Sequence, residues 1–102
     1  GDAKLTAAAQ HRAEEIATVN SHVRPNGSKW YTVLSEYGVT DAASGENAAW
    51  GSVSPEEVVT AWMNSEGHRA NILDPEARAM GVGYYYNSSS TWGHQWIQLF
   101  TK

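Results

Sequence analysis

Gly81-Val82-Gly83-Tyr84-Tyr85-Tyr86-Asn87-Ser88-Ser89-Ser90-Thr91-Trp92-Gly93-His94-Gln95-Trp96-Ile97-Gln98-Leu99-Phe100 decides the fold class. Aromatic and β-branched residues crowd both ends of this stretch, and turn-forming residues separate them, so it predicts a β-hairpin with strands over 80–86 and 92–100. Everything before it reads differently. Residues 4–19 are alanine-rich, and Leu5, Ala9, Ala13, Ile16 and Ala17 recur at helical spacing, which predicts a helix. On that helix His11, Arg12 and Glu15 are expected on a solvated face. Ser54-Pro55-Glu56-Glu57 combines an N-cap serine, a proline at the first helical position and a glutamate three residues beyond the cap. It predicts a helix over 55–65 with Val58, Val59, Trp62 and Met63 on one apolar face. Pro25-Asn26-Gly27 marks a turn, a short helix is expected between Ser28 and Gly38, and 39–53 reads as loop. Helices followed by strands make the class α+β with helices packed on an antiparallel sheet.

With 102 residues and no repeat or linker, the chain reads as a single domain, 1–102. A chain of this size buries roughly 65% of its unfolded surface, enough for one core. Cysteine is absent, which excludes disulfides, thiolate metal sites and cysteine nucleophiles. Seven basic against eleven acidic residues give a net charge of −4, so there is no positive excess to hold a phosphate backbone, and nucleic acid is not an expected partner. No apolar run approaches the ~20 residues of a transmembrane helix, and Gly1-Asp2-Ala3-Lys4 does not resemble a signal peptide.

One segment carries more than packing requires. In Trp62-Met63-Asn64-Ser65-Glu66-Gly67-His68-Arg69-Ala70-Asn71-Ile72-Leu73 an apolar helix end runs into Gly-His-Arg. Gly67 can let the chain turn sharply, so that His68 projects from an element end as a base, a proton relay or a metal ligand. The plainer reading is a helix cap whose histidine bonds a carbonyl. His22, in Ser21-His22-Val23-Arg24, and Glu46, in Gly45-Glu46-Asn47, add a second imidazole and a carboxylate on turn-rich segments. Their spacings are too long for a local metal motif.

The order His22, Gly45-Glu46-Asn47, Ser54-Pro55-Glu56-Glu57-Val58, Trp62, Gly67-His68-Arg69-Ala70-Asn71-Ile72-Leu73, Gly81-Val82-Gly83 and Trp96-Ile97-Gln98-Leu99-Phe100 resembles the CAP superfamily, the cysteine-rich secretory, antigen 5 and pathogenesis-related proteins. Within it, the chain looks most like the cysteine-free bacterial members. The resemblance implies an αβα sandwich and an extracellular or cell-envelope location. It also implies a cleft with two histidines and two acidic residues that in several members binds a divalent metal. By motif His22 and His68 match the histidines and Glu46 the first glutamate. The second is displaced: in eukaryotic members it lies three residues after the helix tryptophan, where this chain has Ser65, and Glu66 stands one step further. The family's usual first helix has no counterpart in Gly1–Lys4, so the domain reads as N-terminally truncated. A sandwich face left open in this way would invite self-association or lipid contact.

Three functions follow from the resemblance. A secreted binding module would take a metal or small ligand in the cleft. A metal-dependent hydrolase of the cell envelope would hold Zn2+ on His22 and His68, with Glu46 as third ligand or base, and Glu46 and His68 would be the catalytic candidates. Glu46 could instead fix a histidine tautomer from the second coordination shell. A lipid- or sterol-binding protein would use Trp30, Tyr31, Tyr84 to Tyr86 and Trp92. His11 and His94 are expected to stand outside any metal site.

Overall fold

The sheet is built around its last strand. In the computed structural model, which describes residues 3–19, 21–90 and 93–102, β3 (His94–Thr101) pairs antiparallel with β1 (Ala43–Trp50) on one side and β2 (Ala79–Tyr86) on the other. β2 and β3 are the expected hairpin, while Thr91 and Trp92 lie outside the described residues. β1 corrects the sequence reading, which made 39–53 a loop. Its residues, Ala43-Ser44-Gly45-Glu46-Asn47-Ala48-Ala49-Trp50, have poor intrinsic strand preference, and the partner supplies what they lack: Ala48 pairs with Ile97 and Ala49 with Trp96.

Successive strand residues face opposite sides, so the sheet has two distinct faces. On one lies α1 (Ala3–Ile16), whose Leu5, Ala8, Ala9, Ala13 and Ile16 pack on Ala48, Ile97 and Leu99. The approach is close because Gly81 and Gly83 line β2 beneath the helix. A Cβ at Gly83 would stand 2.3 Å from the Ala9 carbonyl oxygen, and one at Gly81 2.6 Å from that of Leu5. α2 (Thr32–Glu36) adds Val33 and Leu34 to this core and is followed by Gly38 at φ +73, close to where a short helix was expected to end. At the free edge of β2, the Gln10 amide donates to the Tyr84 carbonyl at 2.7 Å and accepts from the Tyr84 amide at 3.0 Å, pairing with that residue as a neighbouring strand would.

The opposite face carries α3 (Pro55–Met63) and α4 (Glu66–Ile72). Ser54 caps α3 by accepting from the Glu57 amide at 3.1 Å, as its sequence predicts. Trp62 is 2% exposed, packs with Val58 and Trp96, and donates its indole N–H to the Ala48 carbonyl at 3.2 Å. α3 is the helix expected over 55–65, and a second helix, α4, follows it after Asn64 and an extended Ser65. Gly67 lies within α4 and is not among the glycines with positive φ, so the sharp turn assigned to it falls two residues earlier.

This second layer leaves the outward side of β2 uncovered, with Met80, Val82, Tyr84 and Tyr86 exposed. The aromatic residues considered for lipid binding do not share one surface. Tyr84 and Tyr86 face outward, whereas Tyr85 packs toward the α1 core, as does Trp30. Among the described residues no helix is long and apolar enough to cross a membrane.

Candidate functional site

Gly45-Glu46-Asn47 sits on β1, an edge strand, and sends its two polar side chains to opposite layers. Glu46 turns toward α1. There its fully buried carboxylate accepts Arg12 Nε at 2.8 Å on Oε2 and Arg12 Nη2 at 3.1 Å on Oε1, a bidentate pair. Oε1 also meets His22 Nδ1 at 2.6 Å, and the His22 side chain is 55% exposed. Because a carboxylate only accepts, Nδ1 carries the proton in this contact and Nε2 is left as the ring's lone-pair nitrogen unless the ring takes a second proton. The Glu46 hydrogen bond raises the His22 pKa above its ordinary value, with burial and the Arg12 charge opposing.

Asn47 turns toward α4. It is fully buried, donates to the His68 carbonyl at 3.1 Å and to Gln98 Oε1 at 3.0 Å, and accepts from Asn71 at 2.9 Å. A Cβ on Gly45 would lie 2.7 Å from Asn71 Oδ1, so the glycine makes room for this amide cluster. His68 is thereby held through its backbone. Its imidazole is half-buried and makes no hydrogen bond among the described residues. Burial, and then the charge of His22, lower its pKa. The pKa values of the two imidazoles are thus displaced in opposite directions.

The expected site is thus assembled in part. His22 and Glu46 are in contact, but among the described residues no hydrogen bond or ion pair joins the His68 imidazole to either of them, and Glu66 is exposed on the first turn of α4. Among the described residues no three His, Asp or Glu side chains are grouped to hold a metal ion. Glu46 does not suit direct ligation, since both its oxygens are taken and the Arg12 charge sits against them. Glu46 stands instead behind His22, against its Nδ1. His11 bonds Tyr37 Oη at 2.7 Å and pairs with Glu15 at 3.3 Å, and His94 bonds Tyr84 Oη at 2.5 Å, so each is engaged elsewhere.

Sequence reasoning missed the support beneath this site. Arg12 and Glu15, expected on a solvated face, are inside: Arg12 is 0% exposed and donates to Glu15 at 2.8 Å and to the Ser21 carbonyl at 3.0 Å. Arg24, also buried, donates to Glu15, Glu36 and Thr32. A run Glu36–Arg24–Glu15–Arg12–Glu46–His22 results. The signal was present, for Arg12 lies seven residues after Leu5 and four before Ile16, on the apolar stripe itself.

Comparisons with known proteins bear on the family and the fold. The family model described as the cysteine-rich secretory protein family, CAP, matches residues 2–100. The uncharacterized protein YkwD of Bacillus subtilis (strain 168) is 40% identical over 98 residues, covering 94% of this chain and 38% of that protein. The uncharacterized membrane protein YlbC of the same strain is 36% identical over 63 residues, which is 62% of this chain and 18% of that protein. The chain thus spans well under half the length of these curated relatives. A crystal structure of an extracellular protein containing an SCP domain from Bacillus anthracis str. Ames superposes with a TM-score of 0.84 at 26% identity, over 99% of this chain and 32% of that one. An outer surface protein from Borrelia burgdorferi superposes with a TM-score of 0.77 at 21% identity, over 99% of this chain and 74% of that one, and shares the fold.

Proposed function

The chain belongs to the cysteine-rich secretory protein family, in its cysteine-free bacterial form, and on that premise we propose that it is an extracellular or cell-envelope binding domain whose His22–His68 cleft takes a divalent cation. One observation carries the reading. The exposed His22 ring has its Nδ1 engaged by a buried carboxylate at 2.6 Å, which leaves Nε2 as the nitrogen available to a metal or ligand. His22 and His68 would be the protein ligands, with water completing the shell, and Glu46 would hold the His22 tautomer. A Zn2+ held by these residues would supply a polarising charge to an incoming ligand. The binding reading is preferred to hydrolysis because Glu46, the candidate base, spends both oxygens on Arg12 and His22.

Isothermal titration with zinc at about pH 7.5 tests the reading, since neutral imidazoles are the binding form. Wild type should take up zinc, His68→Ala should not, and wild-type uptake should fade toward about pH 5.5 as the imidazoles protonate. Absence of uptake by wild type at the higher pH, or equal uptake by His68→Ala, would rule the cation site out.

A further inference from the structure

We propose that Arg12 is the positioning residue of the His22 site, a role that rests on the cation-cleft reading for its purpose but not for its geometry. A single guanidinium holds both things that fix the His22 ring. Through Nε and Nη2 it grips Glu46, whose Oε1 meets the ring 2.6 Å away, and the same Nη2 donates at 3.0 Å to the carbonyl of Ser21, the residue immediately before His22. Nη1 completes the set on Glu15 at 2.8 Å. Arg12 is therefore tied to the acceptor of the imidazole and to the backbone that carries it, from inside a helix packed against the sheet.

Glu15 extends the hold to the other side of His22. It receives Arg24, two residues after His22, at 2.9 Å, and the backbone amide of Arg24 donates to the Ser28 carbonyl at 2.7 Å, which closes the turn through Pro25-Asn26-Gly27. The loop bearing His22 is consequently pinned just before and just after the histidine by two buried arginines that share one α1 carboxylate. His22 itself remains open to solvent between them. This is an exposed ligand on an interior scaffold, and it relies on the planar fork of arginine. A lysine at position 12 keeps the charge but cannot serve Glu46 twice, Glu15 and Ser21 together.

The test uses the whole chain and two readouts, nitrogen NMR of the His22 ring at a fixed pH above its titration, where the ring is neutral, and zinc titration. Wild type should show His22 in one tautomer, with the proton on Nδ1, and Arg12 guanidinium nitrogens resolved because rotation is hindered. Arg12→Lys should give a mixture of His22 tautomers and a zinc affinity lower by about 10- to 100-fold, the usual cost of losing support behind a metal-binding histidine. His68→Ala should lose zinc while keeping the His22 tautomer, which separates ligand from support. If Arg12→Lys keeps both the single tautomer and wild-type zinc affinity, the positioning role is refuted while the cation site stands. Should wild type take up no zinc, the cation reading falls, and the tautomer change in Arg12→Lys still decides the role of Arg12. If Arg12→Lys does not fold, wild type decides alone: resolved guanidinium signals with amide protection at 21–24 support the role, and a freely rotating guanidinium overturns it.

Discussion

The two layers around the sheet each deliver one histidine, and they hold it by opposite means. Beneath α1, His22 is fixed through its side chain by Glu46, and the fixation runs back through Arg12, Glu15 and Arg24, a chain of charges closed off from solvent. On α4, His68 is fixed through its backbone carbonyl by Asn47, and the support is neutral, made of the side-chain amides of Asn47, Asn71 and Gln98. The contrast teaches how one edge strand can serve two chemistries. A charged anchor tunes the ring it touches, raising the His22 pKa, whereas a backbone anchor leaves the His68 imidazole to burial, which lowers it.

If the layers are separate supports, the largest effect should come from emptying the aromatic one. Trp62→Ala should cost about 3 to 5 kcal/mol in denaturant unfolding, yet leave the Arg12 and His22 signals in place. A loss below about 1 kcal/mol would show that the second layer is not built on this indole. Gly83→Ala attacks the other layer. Its Cβ would meet the α1 backbone, which cannot yield as a flexible side chain can, so a loss of about 1 to 3 kcal/mol is expected, together with a shift of the Arg12 signals. Unchanged stability would mean that the helix rides higher on the sheet than the 2.3 Å clash implies.

The smallest effect is the most diagnostic. His22, with a raised pKa, contributes stability that is complete below its unfolded value and lost as pH rises through its folded one. His68, with a lowered pKa, contributes in the reverse sense: its share is present above the unfolded value and lost as pH falls toward its folded one. His22→Ala should therefore remove the acid-side gain and His68→Ala the acid-side loss, each below about 1 kcal/mol because both rings are partly solvated. Unfolding curves between about pH 5 and 8 that change in the same direction for both variants would erase the distinction between the anchors.

The sequence alone determined the parts whose signal is local. Residues 54–63 declare a helix because Ser54, Pro55 and Glu57 satisfy its first turn by themselves, and the hairpin declares itself because aromatic and β-branched residues prefer a pleated surface wherever they stand. The α1 periodicity was legible for the same reason, whereas His22, Glu46 and His68 stood out through motif resemblance alone. Tertiary structure alone decided the rest. Ala43–Trp50 is a strand because β3 pairs with it, not because its own residues ask to be one. Gly67 is helical because the reversal is absorbed at Ser65. Arg12 is interior because two carboxylates and a carbonyl, 3, 9 and 34 residues away in sequence, meet its guanidinium in space and offset the cost of taking its charge out of water. Composition records that an arginine is charged; only the fold supplies the partners that make its burial possible.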